Sequence, residues 1–202
     1  MMHFDSTCAA LAALPAIFAI AIAMAVAIPA ARADALQLDV NDDAARLVYA
    51  WPVAGEQLRA DAGWLHHQET GNIVHAGLHL VDFASGGAST LRAGLGGKLF
   101  FIDADRGDSR GGALGLGGFL DYTFPQYDRL GAGGQVYFAP DVLGLSDVEG
   151  YREIGVHVRY NLLREADLYL GLRNIQAEFS DTPDVTFDTG LHIGIKLNFQ
   201  VE

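Results

Sequence analysis

A chain of 202 residues with a formal charge of -12 is long enough for one domain with a full core, or for one small barrel, and shows no second composition block. Thirteen basic against 25 acidic residues leave no basic face for a phosphate backbone, which excludes nucleic acid as a partner. The 24 glycines are spread through apolar segments instead of linkers, as close-packed strands require, and the one cysteine, Cys8, excludes a disulfide framework and a Cys-based metal site.

From Ala9 to Ile28 the chain is dominated by Ala, Leu, Ile, Val and Met, and no charge occurs between Asp5 and Arg32. Such a run is a signal peptide or a membrane anchor. Ala31-Arg32-Ala33 is an A-x-A cleavage site after the helix-breaking Pro29, so a signal peptide over 1–33 is the expectation, with the mature domain over 34–202. The run is long enough to span a bilayer, which keeps the anchor as the alternative.

From Asp34 onward the chain alternates with a period of two, the signature of β-strands. Leu36, Leu38 and Val40 alternate with Gln37 and Asp39, and Asn41-Asp42-Asp43 turns the chain. Leu47, Tyr49 and Trp51 share one side of the next segment; then Leu58, Ala60, Ala62 and Trp64 oppose Arg59, Asp61 and Gly63. After the turn at 68–72, Val74, Ala76, Leu78 and Leu80 oppose His75, Gly77 and His79. Leu91, Ala93, Leu95, Leu99 and Phe101 oppose Arg92, Gly94, Gly96 and Lys98, and an acidic loop is expected over 103–112.

The second half repeats the code. Leu114, Leu116, Leu120 and Tyr122 oppose Gly115, Gly117 and Asp121; Leu130, Ala132, Val136 and Phe138 oppose Gly131, Gly133, Gln135 and Tyr137. A longer loop is expected over 140–150. Ile154, Val156, Val158 and Tyr160 then oppose Glu153, Gly155, His157 and Arg159, and Leu168, Leu170 and Leu172 oppose Asp167, Gly171 and Arg173. The closing segment sets Leu191, Ile193, Ile195, Leu197 and Phe199 against His192, Gly194, Lys196 and Asn198.

These segments predict an all-β fold, an antiparallel transmembrane β-barrel of about ten strands, with eight as the alternative if the first two segments do not cross. A soluble β-sandwich or lipocalin-like barrel has the same alternation with the faces reversed. Glycine separates the two, because a water-facing surface gains nothing from it, whereas a narrow lumen needs small residues to make room for large ones. Aromatics near strand ends (Trp51, Trp64, Phe101, Tyr122, Phe138, Tyr160, Phe199) fit a membrane girdle. Placing the C-terminus in the periplasm puts the longest loops, 103–112 and 140–150 among them, on the outer side, as such barrels arrange them.

Gly96-Gly97-Lys98, Tyr137-Phe138 followed by Pro140-Asp141, the run Tyr151, Glu153, Gly155, Arg159, Tyr160, and the ending Gly194-Ile195-Lys196-Leu197-Asn198-Phe199 together resemble the YfaZ family of outer-membrane proteins. The resemblance spans most of the mature chain. It implies a small outer-membrane barrel, often labelled porin-like, with no established substrate. The chain departs from the common pattern by continuing past Phe199 to Glu202.

Three functions are open to test. The first is a narrow porin-like channel, or a barrel plugged by internal ion pairs, with Arg59, Asp61, His75, His79, Arg92, Lys98, Asp121, Glu153, His157, Arg159, Asp167, Arg173, His192 and Lys196 projecting into the lumen. The second is a lipid-modifying enzyme; its nucleophile constellation is missing, His66-His67 is the one candidate base, and no enzyme is expected. The third is an acidic outer rim (Asp103, Asp105, Asp108, Asp141, Asp147, Glu149, Glu178, Asp181, Asp184, Asp188) that shares cations with lipopolysaccharide, although the spacing matches no calcium loop. No cofactor is expected, since Gly97-Lys98 lacks the remainder of a phosphate loop. The expected partners are outer-membrane lipid, lipopolysaccharide and, through the closing strand, the barrel-assembly machinery; oligomeric state stays open.

Overall fold

The computed structural model describes residues 35–54, 57–83, 91–105, 109–180 and 183–199; the expected leader and its cleavage site lie outside them. The strands are β1 (Ala35–Val40), β2 (Ala44–Ala54), β3 (Leu58–His67), β4 (Gly71–Phe83), β5 (Leu91–Ala104) and β6 (Ser109–Thr123). They continue with β7 (Leu130–Ala139), a short β8 (Gly144–Ser146), β9 (Val148–Leu163), β10 (Ala166–Phe179) and β11 (Val185–Asn198). All pairings are antiparallel. β8 follows a 3-10 turn at Asp141–Leu143 and pairs with β6 alone, so the wall consists of the other ten strands.

Two sets of pairings close the ring. β5 pairs with β6, and the six-residue β1 bridges β2 on one side and β11 on the other, with Leu36 opposite Leu197 and Val40 opposite Ile193. The short first segment is therefore the partner of the closing strand. Closure leaves no long strand with an open edge, the condition for a sheet to sit in hydrocarbon.

Burial is inverted relative to a soluble protein. Leu95 is 74% exposed and Leu191 62%, while Asp39 and Glu153 are 1% exposed. Apolar side chains outside and charged ones inside exclude the lipocalin-like alternative, whose faces run the other way. The glycines on the inner face leave space for their neighbours: a Cβ on Gly94 would lie 2.4 Å from the Phe119 ring, and one on Gly133 2.4 Å from Asp121 Oδ1. Gly71 also needs a positive φ of 119° where β4 begins beneath the Asp103 carbonyl.

Two expectations need correction. The connections at the end carrying the termini run over 55–57, 84–90, 124–129 and 164–165, and those at the opposite end over 41–43, 68–70, 105–108, 140–147 and 180–184. Among the connections that are wholly described, 124–129 and 164–165 lie at the terminal end and 41–43, 68–70 and 140–147 at the other, so long and short ones occur at both; strands predicted to end early continue, β5 to Ala104, β6 from Ser109 and β9 from Val148. The loop sorting inferred from sequence is absent. Asp188, expected on the acidic rim, is instead 3% exposed inside the barrel. A β-bulge against Ile175 and Gln176 leaves Phe187 unpaired in the register, so that Phe187 and its neighbour Asp188 are both buried.

The interior is layered. At the end away from the termini an apolar cluster fills the lumen: Ile73, Phe100, Ile102, Tyr151, Ile175 and Phe187 are among its members, packed with Ala104, Ala113 and Ala177. Phe100 and Tyr151 rings stand 4.0 Å apart centre to centre. Toward the termini the same inward positions become polar, and a cavity of about 360 Å³ opens among them.

Candidate functional site: the charged lumen

Just below the apolar cluster lies a dry layer of ion pairs. Arg46 on β2 donates from Nη1 to Glu153 Oε1 on β9 at 2.9 Å, and both side chains are almost wholly buried. Gln135 and Tyr151 also donate to the Glu153 carboxylate, the tyrosine at 3.2 Å. Arg173 on β10 has two partners: its Nη1 donates to Asp39 Oδ1 at 2.6 Å, and its Nε to Asp188 Oδ2 at 2.8 Å. Tyr169 donates to Asp39 at 2.8 Å and Asn41 to Asp188 at 2.7 Å. A buried charge is tolerated only when its partner and remaining hydrogen bonds are in place, and each of these charges has them.

Beside this layer β3, β4, β5 and β7 converge on Asp61. His79 Nδ1 lies 2.9 Å from Asp61 Oδ1, His75 Nε2 lies 3.0 Å from Oδ2, and Lys98 Nζ is 3.9 Å from Oδ2. The His75 contact is close in distance but misaligned for a hydrogen bond. The far nitrogen of His79 meets the Tyr137 hydroxyl at 2.8 Å, and Lys98 sits 4.2 Å above the Tyr137 ring. Gly77 permits this convergence, since a Cβ there would lie 2.6 Å from Asp61.

Nearer the termini the groups are wetter. Arg92, His157 and Arg159 side chains are 23%, 29% and 22% exposed, against 6% for Arg46. Asp121 takes His157 at 3.3 Å and Arg92 at 4.0 Å; Asp167 accepts from Asn161 at 2.9 Å and Asn198 at 3.1 Å, with Arg159 at 3.8 Å. Arg159 is also hydrogen-bonded to Thr123, and Arg92 lies 5.2 Å over the Phe119 ring.

Of the fourteen side chains predicted for the lumen, twelve line this cavity; His75 and Glu153 lie among the buried groups behind it. Asp39, Arg46, Asp188, Tyr137 and Tyr169 belong to the same network and were missed. Asp39, Arg46, Tyr137 and Tyr169 share the parity of neighbouring inward residues, so the alternation carried their signal; Asp188 shares the even parity of His192, Gly194 and Lys196, and the bulge reverses the parity only of Phe187 and Val185 before it. His66 and His67 stand apart: the His66 ring stacks on Trp64 and its Nδ1 is 3.0 Å from Asn72 Oδ1, while His67 Nδ1 accepts the Glu69 N–H at 3.2 Å. Among the described residues no group of three His, Cys, Asp or Glu side chains is arranged to hold a metal.

A closed antiparallel barrel with an apolar outer wall and a charged interior is a porin-like β-barrel of the outer membrane. A family model described as YfaZ precursor matches residues 15–199, and the chain belongs to that family. Similar solved structures include the outer membrane channel DcaP of Acinetobacter baumannii, at 12% identity and TM-score 0.41 over 81% of this chain and 54% of that one. Another is the KdgM porin in complex with disordered oligogalacturonate, at 14% identity and TM-score 0.45 over 83% of this chain and 99% of that one. The chain thus spans about half the length of the DcaP channel. No curated protein matches it.

Proposed function

We propose that this protein is a plugged, non-enzymatic barrel whose lumen is a blind polar vestibule, open at the end that carries the termini. The observation that carries the reading is the apolar cluster at the far end, where Phe100 and Phe187 are 0% and Tyr151 is 2% exposed across the lumen. At ten strands the interior is about wide enough for side chains, so one layer of aromatics suffices to close it. In the dry ion-pair layer beneath it, Arg46–Glu153 reaches across the lumen from β2 to β9, and Asp39–Arg173–Asp188 ties the consecutive strands β1, β11 and β10 together. In the same reading the outer wall faces outer-membrane lipid and lipopolysaccharide, and β11 is presented to the barrel-assembly machinery.

A narrow channel is the second reading, favoured by the charged cavity itself, since mixed charges line water paths as well as closed interiors. Conductance decides between them. The purified protein in a planar bilayer is expected to give no single-channel steps, and the triple variant Phe100→Ala, Tyr151→Ala, Phe187→Ala to open a conductance. Regular steps from the wild-type barrel overturn the plugged reading.

A further inference from the structure

The charge of this protein is segregated. Seven of its 13 Lys and Arg residues line the lumen cavity, but only four of its 25 carboxylates do (Asp39, Asp61, Asp121 and Asp167). Arg46 and Arg173 are offset by the buried Glu153 and Asp188 behind the lining, so the deep layer is balanced and the surplus of cations lies toward the mouth. Near the opening Arg59 on β3, Arg92 on β5, Arg159 on β9 and Lys196 on β11 line the cavity with two carboxylates among the described lining residues, Asp121 and Asp167.

These cations are within electrostatic reach of each other: Arg59 of Arg92, Arg92 of Arg159, and Lys196 of both Arg92 and Arg159. Like charges held together in a low-dielectric wall repel, and an anion placed among them converts that repulsion into attraction. The strand register fixes the ring, with Arg92 opposite Asp121 across β5 and β6 and Asp167 opposite Lys196 across β10 and β11. Arginine forks match an oxyanion in two parallel hydrogen bonds, and the cavity volume of about 360 Å³ falls within the range of small-molecule sites.

We infer that the vestibule is a binding site for a small organic anion, held through a carboxylate or phosphate oxyanion by Arg59, Arg92, Arg159 and Lys196. The site needs only the mouth, so it holds whether the far end of the lumen is sealed or conducts. Phe119, beneath Arg92, gives the bound molecule an apolar surface beside the charges.

The test is calorimetric titration of the purified full-length barrel in a zwitterionic detergent at pH 7.5 and low salt, with succinate, its uncharged isostere succinamide, and inorganic phosphate. Saturable binding of succinate or phosphate, with none of succinamide, is expected. The double variant Arg59→Gln, Lys196→Gln is expected to weaken binding by about tenfold or more, the loss of at least one charge-assisted hydrogen bond. The control Arg110→Gln, which removes an exposed cation at the opposite end, leaves it unchanged. Heat-modifiable migration certifies that each variant has folded, and the comparison of succinate with succinamide needs no variant at all. Absence of saturable anion binding, equal binding of succinamide, or an equal loss in Arg110→Gln would overturn the inference. Conductance measured on the same preparation reports separately on the plug.

Discussion

The two ends of the lumen are built on the same ten strands with the same alternation, yet one is closed by aromatics and the other is ringed by charge. At the closed end inward positions hold Phe100, Ile102, Ile175 and Phe187, which pack without needing partners. At the mouth the equivalent positions hold Arg92, Asp121, Arg159 and Lys196, which must be solvated or paired. Between them the Arg46–Glu153 and Arg173–Asp39 pairs are as dry as the aromatics and as charged as the mouth. The difference teaches that inward-facing does not mean wet in a narrow barrel: the depth of a position along the strand decides what it can hold.

Substitutions at three depths break or sharpen that comparison. The largest effect is expected in the dry ion-pair layer. Glu153→Leu leaves the buried Arg46 without its carboxylate, and removal of one partner of such a pair costs about 4 kcal/mol. Reversible urea unfolding in lipid vesicles measures it, and the double variant Arg46→Met, Glu153→Leu is expected to recover most of the loss. A single-variant cost below about 1 kcal/mol would mean the layer is wetter than its geometry implies.

Next comes the apolar end. Phe100→Ala removes a fully buried ring tilted against the Tyr151 ring and is expected to cost about 3 kcal/mol by the same measurement, from lost burial plus the cavity left behind. The smallest effect belongs to the mouth. Arg159→Gln breaks a 3.8 Å contact with Asp167 in which the arginine is 22% exposed, and a change within about 1 kcal/mol is expected for so weakly held a pair. If the mouth variant proved as costly as Glu153→Leu, the gradient from dry to wet would be wrong.

Much of the interior was legible because parity is local. Arg59, Asp61, His79 and Lys98 were assigned inward from the residues beside them, and they line the cavity. The apolar end was not, because Phe100 and Ile102 are inward residues with outward chemistry; where both faces of a strand are apolar, the period of two carries no information. Asp188 was misplaced for a different reason. It has the inward parity of His192, Gly194 and Lys196 but was placed on the rim because the closing segment was begun at Leu191; the bulge beside it reverses the count only for Phe187 and Val185, and nothing in Thr186-Phe187-Asp188-Thr189 announces that. Loop lengths misled because strand ends in polar, glycine-rich sequence resemble loops, as at Ser109 to Gly112, which is paired strand.

By itself the sequence determined that this chain forms membrane-crossing strands, which face of each meets lipid, and that the inner face is crowded enough to require glycine. Each of these depends on residues two apart. The tertiary structure alone decided that six residues of β1 close the ring against β11, that one end of the lumen is filled, and which charges meet. Arg173 and Asp39 are 134 positions apart, and no local pattern can pair them. Their contact exists because a closed sheet brings β1 beside β11 and so within one strand of β10, and the low dielectric inside then requires each charge to find its opposite.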